Sequence, residues 1–234
     1  MLTIFTSSIG RELYLRRLLL SIQDFGGNMD CVAEHIIVFQ ETEPSADLLA
    51  LIQNNPLIKP IFRKELASIG VLLNELSPSF KGRITFKLDD DAALRTPAFF
   101  QSIMEVHSIL GDAMFSPFPV GLIGNLGGPA VEGQRKVVHS QERDIYYTLR
   151  PVKHVGGFAR ISPTGVLQDV KFSDAHKEDG ELSAHCLAKG IPMFYLENGL
   201  IVEHQETMLG QKLRCGEAYF RRHYQRKPDV VQQK

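Results

Sequence analysis

Ile84-Thr85-Phe86-Lys87-Leu88-Asp89-Asp90-Asp91 reads as a hydrophobic strand that runs straight into three carboxylates. Three acids at a strand end repel one another where hydration is being lost, and a bound cation relieves that conflict. Hard cations such as Mg²⁺ and Mn²⁺ take oxygen ligands and commonly share them with a substrate's phosphates. Asp89 and Asp91 fall on the same side if the strand continues through the triplet. Taken alone, the triplet suits a solvated acidic turn or a helix N-cap equally well, so the flanking chain has to decide.

Working outward, strand and helix patterns alternate on the N-terminal side. Leu2 to Thr6 reads as a strand, followed by a turn at Ser7, Ser8 and Gly10. The next segment is a helix whose Leu15, Leu18, Leu19 and Ile22 share one face, ended by Gly26-Gly27. His35 to Phe39 has the length and apolarity of a buried strand. Ala46 to Gln53 reads as helix. Ile58 to Phe62 is a short strand that Pro60 assigns to an edge or an end, and Ala67 to Leu76 is helical. Beyond the triplet, Thr96-Pro97 predicts an N-cap and first helical residue, opening a helix to about Leu110. Such alternation implies βαβ crossovers and a mainly parallel central sheet flanked by helices, an α/β fold. Ligands of such sheets bind beyond the carboxyl ends of the strands. The loop after Thr6, the Gln40-Glu41-Thr42 turn and the acidic triplet all lie there.

The second half is less regular. Val120 to Ile123 reads as a strand, and Asn125 to Tyr147 as loop with a short helix. His154 to Ile161 reads as a strand kinked at Gly156-Gly157. Glu181 to Ala188 is a helix ended by Gly190, and Pro192 to Leu196 and Leu200 to Glu203 are strands.

Composition is that of a soluble globular protein, with 44% hydrophobic and 23% charged residues. No apolar run is long enough to cross a bilayer, and no basic region precedes an apolar one at the start. Cys31, Cys186 and Cys215 are odd in number and widely spaced, which suits a reducing, cytoplasmic compartment rather than a disulfide framework or zinc site. Charge is uneven. Residues 211–234 hold seven basic and two acidic side chains, net +5, against −6 for the rest. Such a tail suits a phosphate-rich ligand, a peripheral anionic membrane surface or nucleic acid, and equally a solvated terminal helix.

Four features occur in order: the first strand and helix with Arg11, the Asp89-Asp90-Asp91 strand end, Val155-Gly156-Gly157-Phe158 followed about twenty residues later by His176-Lys177-Glu178-Asp179-Gly180, and His204 ending an apolar strand. This order, over roughly residues 2 to 207, resembles the family 2 glycosyltransferases and their relatives with the Rossmann-like GT-A fold. The resemblance implies one glycosyltransferase domain over 1–210. Its nucleotide-sugar-binding half would be 1–95 and its acceptor-side half, with a small acceptor-side subregion, 96–210; the basic tail follows.

The resemblance also implies roles. Asp91, with Asp89 and His204, would hold Mn²⁺ or Mg²⁺. Thr6, Ser8, Arg11, Glu41, Gly70, Asn74, Asp89, Asp90, Gly156 and Gly157 would line the nucleotide-diphosphate sugar, a UDP-sugar by preference. Asp179, with Glu178 as fallback, would be the general base that takes the proton of a saccharide or other acceptor hydroxyl, with inversion. The chemistry suits these residue types: a metal neutralises the leaving diphosphate, and the attacking hydroxyl needs a carboxylate. Two places depart from the pattern. Gln40-Glu41-Thr42 stands where many relatives carry Asp-Gly-Ser, and Leu73-Asn74 lacks the usual neighbouring arginine.

Rival classes are a nucleotidyltransferase acting on sugar phosphates, for which Thr6 to Arg11 is a thin version of the glycine-rich basic loop, and a non-enzymatic binding module. A glycosyltransferase with a nucleic-acid acceptor is a third, resting on the tail.

Overall fold

The computed structural model describes residues 1–121, 135–140, 144–175 and 177–205. His176, the end of the Val120 to Ile123 reading, much of the Asn125 to Tyr147 reading and the basic tail lie outside them.

Nine strands form one twisted sheet. β1 (Leu2–Ser8) is flanked by β2 (Val32–Gln40) and β4 (Ile84–Leu88), and β3 (Ile58–Arg63) pairs only with β2. These four are parallel, with Leu2 opposite Ile84 and Phe5 opposite Ile36. Pro60 therefore sits on the edge, where its missing N–H costs no ladder bond. β1 is buried on both faces, as expected of a parallel strand covered by helices on each side.

The sheet is mixed rather than mainly parallel. Beyond β4 the order is β10 (Ala159–Pro163), β6 (Met114–Ser116), β11 (Met193–Leu196), β9 (Ile145–Pro151) and β8 (Lys136–Ser140). β10 is antiparallel to both β4 and β6, β9 is antiparallel to β11 and β8, and β6 runs parallel to β11. The helix–strand alternation that imposes parallel pairing ends after the acidic triplet, so the second half is free to pair by hairpins. One such hairpin, β8–β9, occupies part of the stretch read as loop and helix. A second, three-stranded sheet consists of β5 (Ala92–Leu94), β12 (Ile201–His204) and β7 (Phe118–Val120).

Helices α1 (Glu12–Phe25), α2 (Ala46–Gln53) and α4 (Phe99–Leu110) cover one face. Leu15, Leu18, Leu19, Ile22, Leu48, Phe99, Phe100, Ile103 and Val106 pack there with Ile4, Phe86 and Ile161. Helices α3 (Ile69–Leu76), α5 (Thr164–Gln168) and α6 (Glu178–Lys189) cover the other, where Leu72, Leu73, Leu167, Leu182 and Cys186 meet Phe5, Val38, Met114 and Tyr195. Ser45 and Ser68 cap α2 and α3 through their hydroxyls. The predicted cap of α4 fails. Its N-cap is Ala98, in left-handed conformation, and Thr96 instead accepts the Ile201 N–H at 2.8 Å, joining β12 to the helix entrance. The glycine-kinked strand begins only at Ala159, because Gly156 and Gly157 are committed to a turn above the sheet.

Candidate active site

The strand does not run through the triplet. Asp89 donates its N–H to the Phe158 carbonyl and accepts that of Ala92, so the chain turns there before β5. The three carboxylates consequently diverge. Asp89 pairs with Lys87 Nζ, which also donates to the Gly157 carbonyl. Asp90 is fully buried; it accepts the Ser8 hydroxyl at 2.7 Å and pairs with Arg11. Asp91 Oδ2 lies 2.6 Å from Arg11 Nη1 and 3.4 Å from His204 Nε2. Burial raises the Asp90 carboxyl to about 7, against the pull of Arg11 and Ser8 and helped by its two acidic neighbours. Arg11, at the N-cap of α1, thus ties the turn to the end of β1. His204 is brought to Asp91 by β12, which pairs antiparallel with β5 so that His204 stands opposite Ala92. The Phe158 ring covers the imidazole at 5.0 Å.

Beside Arg11, Ser8, Gly10, Phe39, Thr42, Glu43 and Leu48 line a cleft of about 190 Å³ between the β1–α1 and β2–α2 loops. It opens at the carboxyl ends of the strands, where such sheets take ligands. Gly10 makes its turn with φ +63°, a conformation that favours glycine. Glu41 is exposed with φ +61° at the cleft's shoulder. Gln40 is buried and structural: it donates to Ser7 Oγ and accepts the Ala67 N–H. Thr6 is also internal, its hydroxyl 3.1 Å from His35 Nε2 in the core; burial pulls His35 down to about 3 and keeps it neutral.

On the other side of Asp89 stands the Glu-Asp pair. α6 begins at Glu178, three residues earlier than its apolar pattern predicts. Glu178, Asp179 and Glu181 therefore occupy its first turn, where the helix dipole favours negative charge. Asp179 Oδ1 accepts the Gly180 N–H at 2.8 Å, and Oδ2 lies 3.5 Å from His154 Nε2. Desolvation pushes the Asp179 carboxyl up, but His154, the Gly180 N–H and the Arg160 charge outweigh it and hold it at about 2. Asp179 is therefore ionised throughout the physiological range.

The glycines explain how the two acidic groups meet. A Cβ on Gly157 would lie 2.9 Å from Glu178 Oε1, 3.5 Å from Lys87 Nζ and 3.7 Å from the Asp179 Cβ. Gly156 donates its N–H to the Tyr195 hydroxyl at 2.9 Å. Gly70 abuts Phe172 and the Ser173 carbonyl, and Asn74 exchanges two hydrogen bonds with the Phe172 backbone at 2.8 and 2.9 Å. Gly70 and Asn74 thus brace the segment leading into α6. Lys87, His154 and Arg160 were not among the residues predicted to carry function. Lys87 stood inside the decisive stretch, and its charge in a hydrophobic strand was the available signal.

At the level of sequence, no family model and no curated protein matches the chain. Solved structures do. GalNAc-T7 with UDP, GalNAc and Mn²⁺ superposes at a TM-score of 0.66 over 90% of this chain and 44% of its own, at 12% identity. S. aureus TarS residues 1–349 superpose at 0.65 over 88% of this chain and 60% of their own, at 12% identity. A second S. aureus TarS structure gives 0.60 over 88% and 36%, at 11% identity. The chain has a GT-A glycosyltransferase-like fold. At these identities the likeness is one of fold, and this chain spans between about a third and three fifths of the length of those proteins. In the GT-A frame, the cleft by Arg11 and the Gly157 turn lie on either side of the acidic triplet.

Proposed function

We propose that this chain is a glycosyltransferase that moves a sugar from a nucleoside-diphosphate sugar to an acceptor hydroxyl, with a divalent cation assisting the leaving group. The observation that carries the reading is the Gly157 turn. It lets a Glu-Asp pair at a helix start and an acidic triplet at a strand end, some ninety residues apart, share one crevice. A binding module has no need of both. GalNAc-T7 is described with UDP and Mn²⁺, which supports a UDP-sugar and a divalent metal here.

The donor types present suit such an ion: a carboxylate and an imidazole, Asp91 Oδ2 and His204 Nε2, stand 3.4 Å apart, with Arg11 Nη1 2.6 Å from the same oxygen. The described residues contain no group of three acidic, histidine or cysteine side chains placed to hold a metal by themselves. Mg²⁺- and Mn²⁺-type sites are commonly completed by substrate phosphates and water. Asp91 and His204 would hold the cation, and Asp89, turned toward Lys87, would face the sugar side. The cation would neutralise charge developing on the diphosphate.

The protein's own groups do the rest. Arg11 and Ser8 fix the triplet beside the nucleotide cleft, where Gly10 and Glu41 shape the loops. Asp179, ionised and about one-third exposed, accepts the acceptor's proton as its oxygen attacks the anomeric carbon. The bond from that carbon to the diphosphate oxygen breaks, and the nucleoside diphosphate departs with the electron pair. Attack from the side opposite the diphosphate inverts the anomeric centre. His154 orients Asp179, and Glu178 borders the same space.

A thermal-shift panel of UDP, GDP and their sugars, with and without Mn²⁺, tests this directly, since a ligand that binds the native state raises its melting temperature. A Mn²⁺-dependent shift with one nucleotide diphosphate is expected. No shift with any of them at millimolar concentration would refute the donor assignment.

A further inference from the structure

Arg160 is the largest fully buried side chain in the described structure, and none of its three guanidinium nitrogens has a hydrogen-bond partner among the described residues. A buried charge without partners is among the most destabilising features a core can hold. Its placement compounds the problem. In the β10–β4 ladder Arg160 stands directly opposite Lys87, which is itself buried, so two cations point to the same side of adjacent strands. The apolar cluster that includes Leu182, Cys186 and Tyr195 covers the same side of the sheet. Nothing in the fold's own hydrogen bonding explains an arginine here.

The surrounding charges do. Glu178, Asp179 and Asp89 supply the negative field at the guanidinium, with Cys186 a further ionisable neighbour, while burial pulls its pKa below the usual arginine range. Asp179 in turn feels His154, the Gly180 N–H at the helix start and, after these, Arg160; the Tyr195 hydroxyl senses both Asp179 and Arg160. Lys87 reaches Asp89 and the Gly157 carbonyl. The two cations therefore form a positive floor beneath three carboxylates of the crevice.

We infer that Arg160 is a positioning residue for the transfer reaction: a buried countercharge, retained at the expense of fold stability, that holds the Glu178 and Asp179 carboxylates gathered beside Gly157. This rests on the reading of Asp179 as the base. Arg160 does not touch substrate; it acts through the carboxylates above it, and the unmet donors beneath them keep the field directed upward.

The test replaces Arg160 with methionine, of similar length and no charge, and follows the Asp179 carboxyl by ¹³C NMR titration, with Asp179→Asn as the assignment control. The Asp179 midpoint is expected to climb by about one pH unit, with the melting temperature unchanged or higher, because removing an uncompensated buried charge relieves the fold. With a UDP-sugar that shifts the melting temperature, turnover should fall roughly 10- to 100-fold, while the dissociation constant of UDP changes less than twofold. Arg160→Lys should restore part of both effects. An unmoved Asp179 midpoint overturns the inference. So does a methionine variant that melts well below wild type and is rescued by lysine, which would assign the arginine to the fold. If the methionine variant does not fold, Arg160→Leu repeats the measurement with a different shape, and loss of folding in both overturns it too. Wild-type turnover in Asp179→Asn would retire the base assignment and leave the titration result in force, so the two failures are separable.

Discussion

Gly157→Ala probes the crevice at its narrowest point. The added methyl would lie 2.9 Å from Glu178 Oε1, closer than ordinary contact, whereas its distances to Lys87 Nζ and the Asp179 Cβ, 3.5 and 3.7 Å, are tolerable. The atom that must yield is the far end of a flexible side chain, which has to retreat by roughly 0.5 Å or rotate, at about 0.5–1.5 kcal/mol for a strained χ angle. Gly157 is not among the positive-φ glycines, so alanine fits its backbone. Restricting the unfolded chain returns about 0.4–1 kcal/mol. The two effects nearly cancel. For a chain of 234 residues, a residual of about 1 kcal/mol moves the melting temperature by only about 2–4 °C. Function should respond far more strongly, because displacing a positioned group by a fraction of an ångström to 1 Å can cost up to about 10²-fold. The assay pairs scanning fluorimetry with release of UDP from the UDP-sugar that stabilises the protein. A wild-type rate in Gly157→Ala would refute the reasoning, and so would a fall in melting temperature of more than about 5 °C, which would mean that the turn is held by packing unrelated to the carboxylates.

Asp91→Asn should abolish the part of UDP-induced thermal stabilisation that EDTA removes from wild type, a loss of about 2.7 kcal/mol when the ligand stands at 100 times its dissociation constant; retention of the EDTA-sensitive part would place the cation elsewhere. Asn74→Ala removes both hydrogen bonds to the Phe172 backbone and should cost about 1–3 kcal/mol in urea denaturation, a value near zero arguing against the brace. Asp179→Asn should show an acid-dependent stability deficit. The folded carboxyl titrates at about 2, below an unfolded value of about 3.9, so its contribution is complete above the unfolded value and disappears as pH falls through the folded one. The variant and wild type should converge in melting temperature near pH 2; because the side chain is about one-third exposed, the deficit at neutral pH should be small, and curves that stay parallel to the acid limit would contradict the assigned shift.

Regular elements were legible wherever a face is buried by periodicity. Ala46–Gln53 and Ile84–Leu88 agree with their patterns at both ends, because a serine cap or a switch from apolar to acidic residues marks each boundary. The second half was harder for a physical reason. Antiparallel partners such as β8 and β9 need no crossover helix, and Lys136 to Ser140 alternates only weakly, with two of its five residues buried. The Thr96-Pro97 signal misled because the Thr96 hydroxyl has a better claim on the β12 backbone. At the site, the triplet and the Glu-Asp pair stood out as unusual local charge. What no local pattern reveals is which carboxylate turns which way. Asp89 and Asp91 are separated by a turn whose Asp89 N–H donates to the carbonyl of Phe158, sixty-nine residues on, and that tertiary contact decides that Asp91 meets His204 while Asp89 meets Lys87. Arg160 escaped notice because a charged residue between Ala159 and Ile161 looks like ordinary alternation; only its complete burial makes it unusual.

The charge balance of the crevice links these observations. Among the described residues, Asp89, Asp90, Asp91, Glu178 and Asp179 face the fixed positive charges of Arg11, Lys87 and Arg160. Counted as formal charges, five carboxylates against three cations leave two excess negative charges, with Asp90, raised to about 7, only partly ionised at neutral pH. In the proposed reading Arg11 serves Asp90 and Asp91 on the nucleotide side, and Lys87 and Arg160 serve Asp89, Glu178 and Asp179 on the acceptor side, so each side is short of one positive charge. A divalent cation at Asp91 and His204 would oversupply the first side and draw in a diphosphate, while the acceptor side would remain negative and ready to take a proton. The cation would thus make the two halves, alike in net formal charge without it, electrostatically different. An arrangement that only had to bind a sugar would gain nothing from that difference; a reaction that expels an anion on one side and collects a proton on the other requires it.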